Sequence, residues 1–160
     1  MTANTMIPRT ALLLGWAGVL PFAALSVMSV WGDVVTSSRA IGALLNYAAV
    51  ILGFMSGVQW GIAMLTRYRD AGPGTVNDIP ADGWRMTISV VPALAGFAAL
   101  LVPSDFCALA ILVTSFAALL GFDLLTVQRA AAPAWYGRLR VQLTGAVVLF
   151  LLLATLAATD

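Results

Sequence analysis

Few side chains in this sequence could do chemistry, and four of them are polar residues within long apolar runs. They are two amides at the ends of runs, one amide in a glycine-rich stretch and one acid: Asn46, Gln142, Gln59 and Asp123. Inside hydrocarbon, a polar side chain is normally either paired with another group or functional, because it is costly to bury. For Asn46 and Gln142 we expect a hydrogen bond to water or to a neighbouring helix.

Asp123 has two interpretations. It could be an interfacial carboxylate paired with an arginine of the same membrane edge, which would be Arg67, Arg138 or Arg140. It could instead couple to protons or to a ligand. We favour the ion pair, because Asp123 lies only about 6 Å along a helix from the predicted end of its apolar run at Val127.

Gln59 and Trp60 lie in a stretch where Gly53, Gly57 and Gly61 recur every four residues. Glycines at this spacing share one helix face and let another backbone approach closely. The favoured prediction is packing against another helix of this chain, and a dimer or partner interface is the alternative. Gln59 is then expected to bond another helix, or to contact a ligand for which Trp60 is the apolar wall.

The residue types needed for most catalysis are missing. All eight basic residues are Arg and all seven acids are Asp, so the chain has no Lys, Glu or His. No nucleophile–base set, phosphate-binding glycine loop or metal-ligand spacing is present. The single Cys107 excludes an internal disulfide and a cysteine metal cage. We therefore expect no enzyme activity, no metal and no cofactor, and the net charge of +1 argues against binding nucleic acid.

The composition requires that these residues be positioned by membrane-spanning helices. The chain is 61% hydrophobic and 9% charged, whereas soluble domains are about 25% charged. A span needs roughly 20 apolar residues. We predict an all-α integral membrane protein, one domain over 1–160, whose bundle has five helices at about 11–31, 40–65, 86–102, 106–127 and 141–158. The connection at 66–85 is expected to lack regular structure, because of its Gly and Pro residues.

The arginines predict the orientation of this bundle. Five spans put Arg39 alone on one side and the other seven on the opposite side: Arg9, Arg67, Arg69, Arg85, Arg129, Arg138 and Arg140. Cytoplasmic loops carry the excess of basic residues, which predicts a cytoplasmic N-terminus and a periplasmic C-terminus. The Ala- and Arg-rich, Lys-free composition suggests a bacterial protein, and hence the inner membrane.

The fourth connection combines aromatic and basic residues. Trp135 and Tyr136 are followed by Arg138 and Arg140. We interpret the group as an aromatic belt with a positive-inside signal, and contact with lipid headgroups is the alternative. Membrane lipids are the expected partners in either case.

Three stretches resemble a known family. They are IPR (7–9) with LLLGWAG (12–18) and LPF (20–22), YAAVILGFMSGVQWG (47–61), and PAWY (133–136) with Leu139-Arg140 and Leu143-Thr144. In this order they resemble the transmembrane-protein-69-like group, a domain of unknown function in bacteria and mitochondria. The resemblance implies a small multi-helix inner-membrane protein without assigned activity. Other members often have His where Gln59 stands, so it implies packing or ligand contact there, not metal binding or catalysis.

Three functions remain open at this level. The first is a non-enzymatic protein that accompanies or assembles a larger membrane complex, or that forms a homo-oligomer. The second is a binder or carrier of a small apolar ligand, similar in outline to the tryptophan-rich sensory, or translocator, proteins. The third is an enzyme that acts on lipid through Asp123 with Arg138 and Arg140. Depth in the membrane predicts that any site lies in the inner half of the bundle, bounded by Gln59, Trp60 and Asp123.

Overall fold

A computed structural model of the chain describes residues 7–71, 83–128 and 133–158. These ranges hold only helices and turns: α1 Arg9–Trp31, α2 Val34–Ala71, α3 Gly83–Ala99, α4 Asp105–Gln128 and α5 Ala134–Ala154. Four segments are long and apolar enough to cross a membrane, namely Arg9–Trp31, Val34–Ile62, Asp105–Val127 and Trp135–Ala154. α3 adds a shorter apolar segment, Thr87–Ala99. The all-α prediction is confirmed.

All five helices begin before the apolar runs that predicted them, and the extensions are longest in α2 and α5. α5 begins at Ala134 instead of 141, directly after Pro133, so the predicted loop 128–140 is wrong for its second half. α2 continues to Ala71, and 83–85 are helical too, so the prediction of irregular structure fails in 66–71 and 83–85. A helix can continue beyond the hydrocarbon, because its backbone hydrogen bonds do not depend on apolar side chains. The remainder, 72–82, lies outside the described residues.

α3 ends earlier than predicted, at Ala99 instead of 102. The next three residues form a tight turn, in which the N–H of Leu100 bonds the Phe97 carbonyl at 3.1 Å and that of Val102 bonds the Ala99 carbonyl at 3.3 Å. Pro103 follows, and the residue before a proline is disfavoured in the helical conformation. The proline therefore sets the end of this helix.

The helices form a closed arrangement. Each helix packs against the next one in the chain. α5 also contacts α1, which closes the arrangement, and α2 contacts α4. Phe22 is fully buried between three helices. Its ring lies 5.0 Å from that of Tyr47 and 6.2 Å from that of Phe116, both in edge-on geometry that aromatic pairs favour. Phe22 thus ties α1, α2 and α4 together.

The turn between α1 and α2 is held by side-chain bonds. The Ser37 hydroxyl donates to the Ser29 carbonyl at 2.7 Å, and Asp33 caps the start of α2 by accepting from the Thr36 N–H at 2.9 Å. Hydrogen bonds from the Thr36 side chain and backbone lower the pKa of Asp33 below its usual value. These hydrogen bonds hold the turn in one conformation, in which α1 and α2 are antiparallel.

The close backbone approach in this fold is not at the glycine stretch of α2. A methyl group added at Gly53, Gly57 or Gly61 would meet no atom within 4 Å in the part of the chain that the structure describes. Within the described residues, these glycines therefore do not make the predicted packing contact with another helix. Gly96 of α3 takes that role, since a methyl there would lie 3.4 Å from the Ala49 Cα.

Candidate functional site

Asp123 of α4 is the centre of a buried polar cluster. It is 0% exposed. Its Oδ2 forms an ion pair with Arg140 Nε of α5, so the predicted arginine partner is confirmed and identified. Its Oδ1 accepts a hydrogen bond from Gln59 Nε2 of α2 and a longer one, 3.4 Å, from the Tyr136 hydroxyl. Three donors on two helices thus surround one carboxylate.

Thr126 completes the cluster, and Met55 lies beside it. The Thr126 hydroxyl lies 3.4 Å from Gln59 Oε1 and bonds the Phe122 carbonyl of its own helix at 3.0 Å. Arg140 Nη1 lies 2.7 Å from the Met55 sulfur. We call Gln59, Asp123, Thr126, Tyr136 and Arg140 the polar cluster. Its formal charges, one carboxylate and one guanidinium, sum to zero.

Helical spacing explains how the cluster forms. Asp123 and Thr126 are three residues apart, so they face the same direction on α4. Tyr136 and Arg140 are four apart on α5, and Thr144 continues the same stripe one turn further. The start of α5 therefore presents a polar stripe to the end of α4, which explains why α5 must begin at Ala134: a loop over 134–140 would not hold that alignment.

A cavity of about 420 Å³ adjoins the cluster, which falls in the range of ~300–1,000 Å³ typical of small-molecule pockets. Its walls are apolar except on α5, where Tyr136, Arg140 and Thr144 line it. The remaining lining residues come from α1, α2, α4 and α5: Ala11, Leu14, Gly15, Gly18, Val19, Phe22, Ile51, Phe54, Met55, Val58, Phe116, Leu139, Leu143 and Val147. Tyr136 and Arg140 belong to both the cavity and the polar cluster.

The glycines of α1 contribute to the shape of this cavity. Gly15 lets α5 approach, since a methyl at that position would lie 2.6 Å from Leu143 Cδ1. The Gly18 carbonyl accepts a hydrogen bond from the Tyr47 hydroxyl at 3.0 Å. Both glycines line the cavity. Gly15 therefore faces α5, and Gly18 faces Tyr47 of α2.

Two polar atoms at the cavity wall lack partners. Arg140 Nη2 and Thr144 Oγ1 are buried, and neither has a hydrogen-bond partner within the described ranges. The side chains are 5% and 3% exposed. Buried polar groups are normally hydrogen-bonded, so these two atoms are exceptions within the described structure. Across the described residues, no group of three or more potential metal ligands occurs.

The predicted site residues divide into two sets. The structure brings Gln59 and Asp123 into direct contact, as their predicted depth suggested. Trp60 is 41% exposed and does not line the cavity, so it is not the predicted apolar wall. Asn46 is exposed, and its amide bonds the Gly42 carbonyl of its own helix at 2.7 Å. That contact is local to α2 and does not reach the site.

The aromatic and basic group also divides. Arg138 is exposed, as a topology signal or headgroup contact requires, whereas Arg140 is buried in the ion pair, so the alternative of headgroup contact does not hold for its side chain. The Trp135 ring lies edge-on to that of Tyr136, with 6.3 Å between centroids. Arg138 and Arg140 thus have opposite environments although they belong to one short motif, because they lie on opposite sides of α5.

Sequence reasoning missed Thr126 and Thr144. Threonine is unremarkable in an apolar run, and neither residue drew attention alone. The four-residue spacing of Tyr136, Arg140 and Thr144 would have revealed the second one, if the helix had been predicted to start at 134. Thr126 could have been found from its spacing to Asp123.

The closed bundle, its membrane-length helices and its buried charge pair define a multi-pass α-helical membrane protein. The chain matches, over residues 7–156, the family model described as a protein of unknown function (DUF3429). It is also 34% identical over 151 residues to Transmembrane protein 69 of Xenopus tropicalis. The chain therefore belongs to the transmembrane-protein-69-like family.

The alignment covers 93% of this chain and 54% of the frog protein. The chain thus spans about half the length of the curated relative it matches. No solved structure matches it.

Proposed function

We propose that this protein is a non-enzymatic membrane protein that binds a small, largely apolar molecule inside its helix bundle. The observation that carries the proposal is the cavity between α1, α2 and α5, with a volume of about 420 Å³. Small-molecule sites are mostly apolar cavities with a few convergent polar groups. The lining has that composition, with Tyr136, Arg140 and Thr144 as its polar members.

The proposal includes an orientation and a location. The start of α1, the second half of α2 and the start of α5 all line the cavity, and the end of α4 joins them through Asp123. This arrangement supports five alternating spans with the cavity near the side that carries most arginines. By the positive-inside rule that side is cytoplasmic, and the Lys-free composition supports a bacterial inner membrane.

The test is to purify the protein from its native membrane in mild detergent and to identify retained small molecules by mass spectrometry. We expect an apolar compound at a fixed ratio to protein. Val58→Phe, which places a larger ring on the cavity wall, should reduce that ratio about fivefold or more, because overpacking costs about 1–3 kcal/mol.

A matched control lies on the same helix. Val50 is 68% exposed and does not line the cavity, so Val50→Phe should retain the compound at the wild-type ratio. If both variants retain it equally, or if the wild type retains nothing but bulk lipid, the proposed binding function is wrong. Thermal unfolding of all three proteins establishes that the comparison is between folded bundles.

We also propose that the protein binds a partner in the membrane, and one observation supports this. Gly53, Gly57 and Gly61 form a face of α2 that no described residue covers, and small residues at this spacing are typical of helix–helix contacts in membranes. A helix of another membrane protein, or of a second copy, would fit there. Gly57→Leu should then abolish crosslinking between copies or to that partner, whereas unchanged crosslinking would refute it.

A further inference from the structure

We infer that the ligand is an uncharged amphiphile, with a long apolar body that ends in an acceptor oxygen such as a ketone or ester carbonyl. The inference rests on the proposed binding function and names the chemistry of the molecule. It follows from two features at the α5 wall of the cavity, the unpartnered buried atoms and the balance of charge around them.

The first feature is the pair of unpartnered atoms. Arg140 Nη2 can only donate a hydrogen bond, and the Thr144 hydroxyl can donate or accept. Both side chains line the cavity, and they are one helical turn apart on the same face of α5. An acceptor oxygen that reaches either atom would receive a hydrogen bond from it. A pure hydrocarbon would leave both atoms unpaired.

Thr144 is unusual among the buried helix hydroxyls. Ser56 donates to the Leu52 carbonyl at 2.9 Å, and Thr126 to the Phe122 carbonyl at 3.0 Å. This bond to the carbonyl four residues earlier is the usual solution for a hydroxyl within a helix. Thr144 makes no such bond, although it lies in the middle of α5. Its hydroxyl therefore remains unpaired beside the cavity in the described structure. Ser26 on α1 also lacks a partner but does not line the cavity.

The second feature decides between a charged and an uncharged ligand. Arg140 is already neutralised by Asp123, and Asp123 also accepts from Gln59 and Tyr136. A carboxylate or phosphate in the cavity would give the site a net negative charge within hydrocarbon, where an unpaired charge is costly. A carbonyl uses the same N–H without adding charge. The chemistry of the site therefore favours a neutral acceptor over an anion.

The apolar walls set the rest of the molecule. The stripe Tyr136, Arg140 and Thr144 occupies the first part of α5, and Val147 continues the cavity wall beyond it. Phe22 and Phe116 lie on the other walls. A ligand with its oxygen near Arg140 would therefore place its apolar body against α1 and the aromatic residues.

The test uses three probes of equal chain length with the protein in lipid nanodiscs: 2-dodecanone, dodecane and dodecanoate at pH 9. Labelled probes are measured by equilibrium dialysis against empty nanodiscs. We expect the ketone to bind the wild type about tenfold more tightly than dodecane, which is the gain from one hydrogen bond to a charged donor. Dodecanoate should bind more weakly than the ketone.

Two variants isolate the head group. Thr144→Val keeps the shape of the side chain and removes the hydroxyl, and Asp123→Asn with Arg140→Met removes both charges together. Each should reduce binding of 2-dodecanone about threefold or more, the effect of losing one hydrogen bond, and neither should weaken dodecane binding. Comparing proteins for each probe cancels the partition of that probe into lipid.

The outcomes separate the two proposals. If the ketone has no advantage, or if neither variant changes its binding while Val58→Phe abolishes binding of both neutral probes, the cavity binds apolar molecules and the acceptor inference is wrong. If dodecanoate binds the most tightly, the site is for anions and the inference is also wrong. If no probe binds above empty nanodiscs, or Val58→Phe has no effect, the proposed function itself fails.

Discussion

Asp123 and Arg140 can both be buried as charged side chains because they form an ion pair. Each is almost completely buried, and each has its charge compensated by the other. A buried ion pair often contributes little net stability, because desolvation offsets the attraction between the charges, but removal of one partner leaves the other charge buried and unpaired. The pair can therefore be structural and still place Arg140 Nη2 at the cavity wall.

This reasoning gives a prediction for the two side chains. Asp123→Asn should lower the free energy of unfolding by about 3–5 kcal/mol, because the guanidinium of Arg140 loses its counterion. The double variant Asp123→Asn with Arg140→Met should recover most of that loss, since no charge remains. Denaturant unfolding in detergent, followed by tryptophan fluorescence, measures both.

The comparison also tests the alternative role of Asp123. A carboxylate that serves only to couple protons or a ligand would tolerate conversion to Asn without loss of stability. A single variant as stable as the wild type would therefore contradict the structural role. A double variant no more stable than the single one would show that the charges are not coupled.

At the scale of the helices, the ends were harder to predict than the spans. α4 differs from its predicted limits by one residue at each end, because Asp105 and Gln128 bracket an apolar run. α5 begins seven residues early, because hydropathy reports where hydrocarbon could lie and not where a helix begins. That error hid the Tyr136, Arg140 and Thr144 stripe, and with it the polar wall of the cavity.

The site was predictable only in part for a related reason. Depth along the helices placed Gln59 and Asp123 at the same level, and the structure shows them in contact. Which arginine pairs with Asp123 depends on the rotation of α5 about its axis, which spacing alone could not decide among Arg67, Arg138 and Arg140. Glycine spacing likewise indicated a close approach without identifying the helix that makes it.

The contrast between Gly96 and Gly57 gives a prediction at this scale. Gly96→Leu should destabilise the bundle by about 1–3 kcal/mol, because a methyl there would already be in van der Waals contact with the Ala49 backbone at 3.4 Å and the rest of the leucine would overlap it. Gly57→Leu should leave the unfolding midpoint of the isolated protein nearly unchanged, since no described atom lies within reach of a methyl at that position. Thermal unfolding in detergent measures both.

These two variants also control for each other, since the same residue type is introduced into neighbouring apolar helices. Equal destabilisation would mean that the face of α2 at Gly57 is covered within the monomer. Equal tolerance would mean that the contact between α2 and α3 adapts to a large side chain.

At the scale of the whole molecule, the polar groups concentrate toward one end of the bundle. The polar cluster joins the second half of α2, the end of α4 and the start of α5, and Arg138 is exposed at that same end. On the proposed function, a buried site near one end of the bundle gives ligands in the adjacent leaflet the shortest path. Orientation therefore decides which leaflet supplies the ligand.

The last prediction concerns that orientation. With five spans and most arginines inside, a periplasm-active reporter fused after Asp160 should be active, and a cytoplasm-active reporter at the same position should be silent. The two fusions control for expression, because each reports on the side where the other is inactive. The reverse pattern would place the end of the chain in the cytoplasm. It would contradict either the number of spans, with α3 the shortest of them at 17 residues, or the assignment of the arginine-rich side.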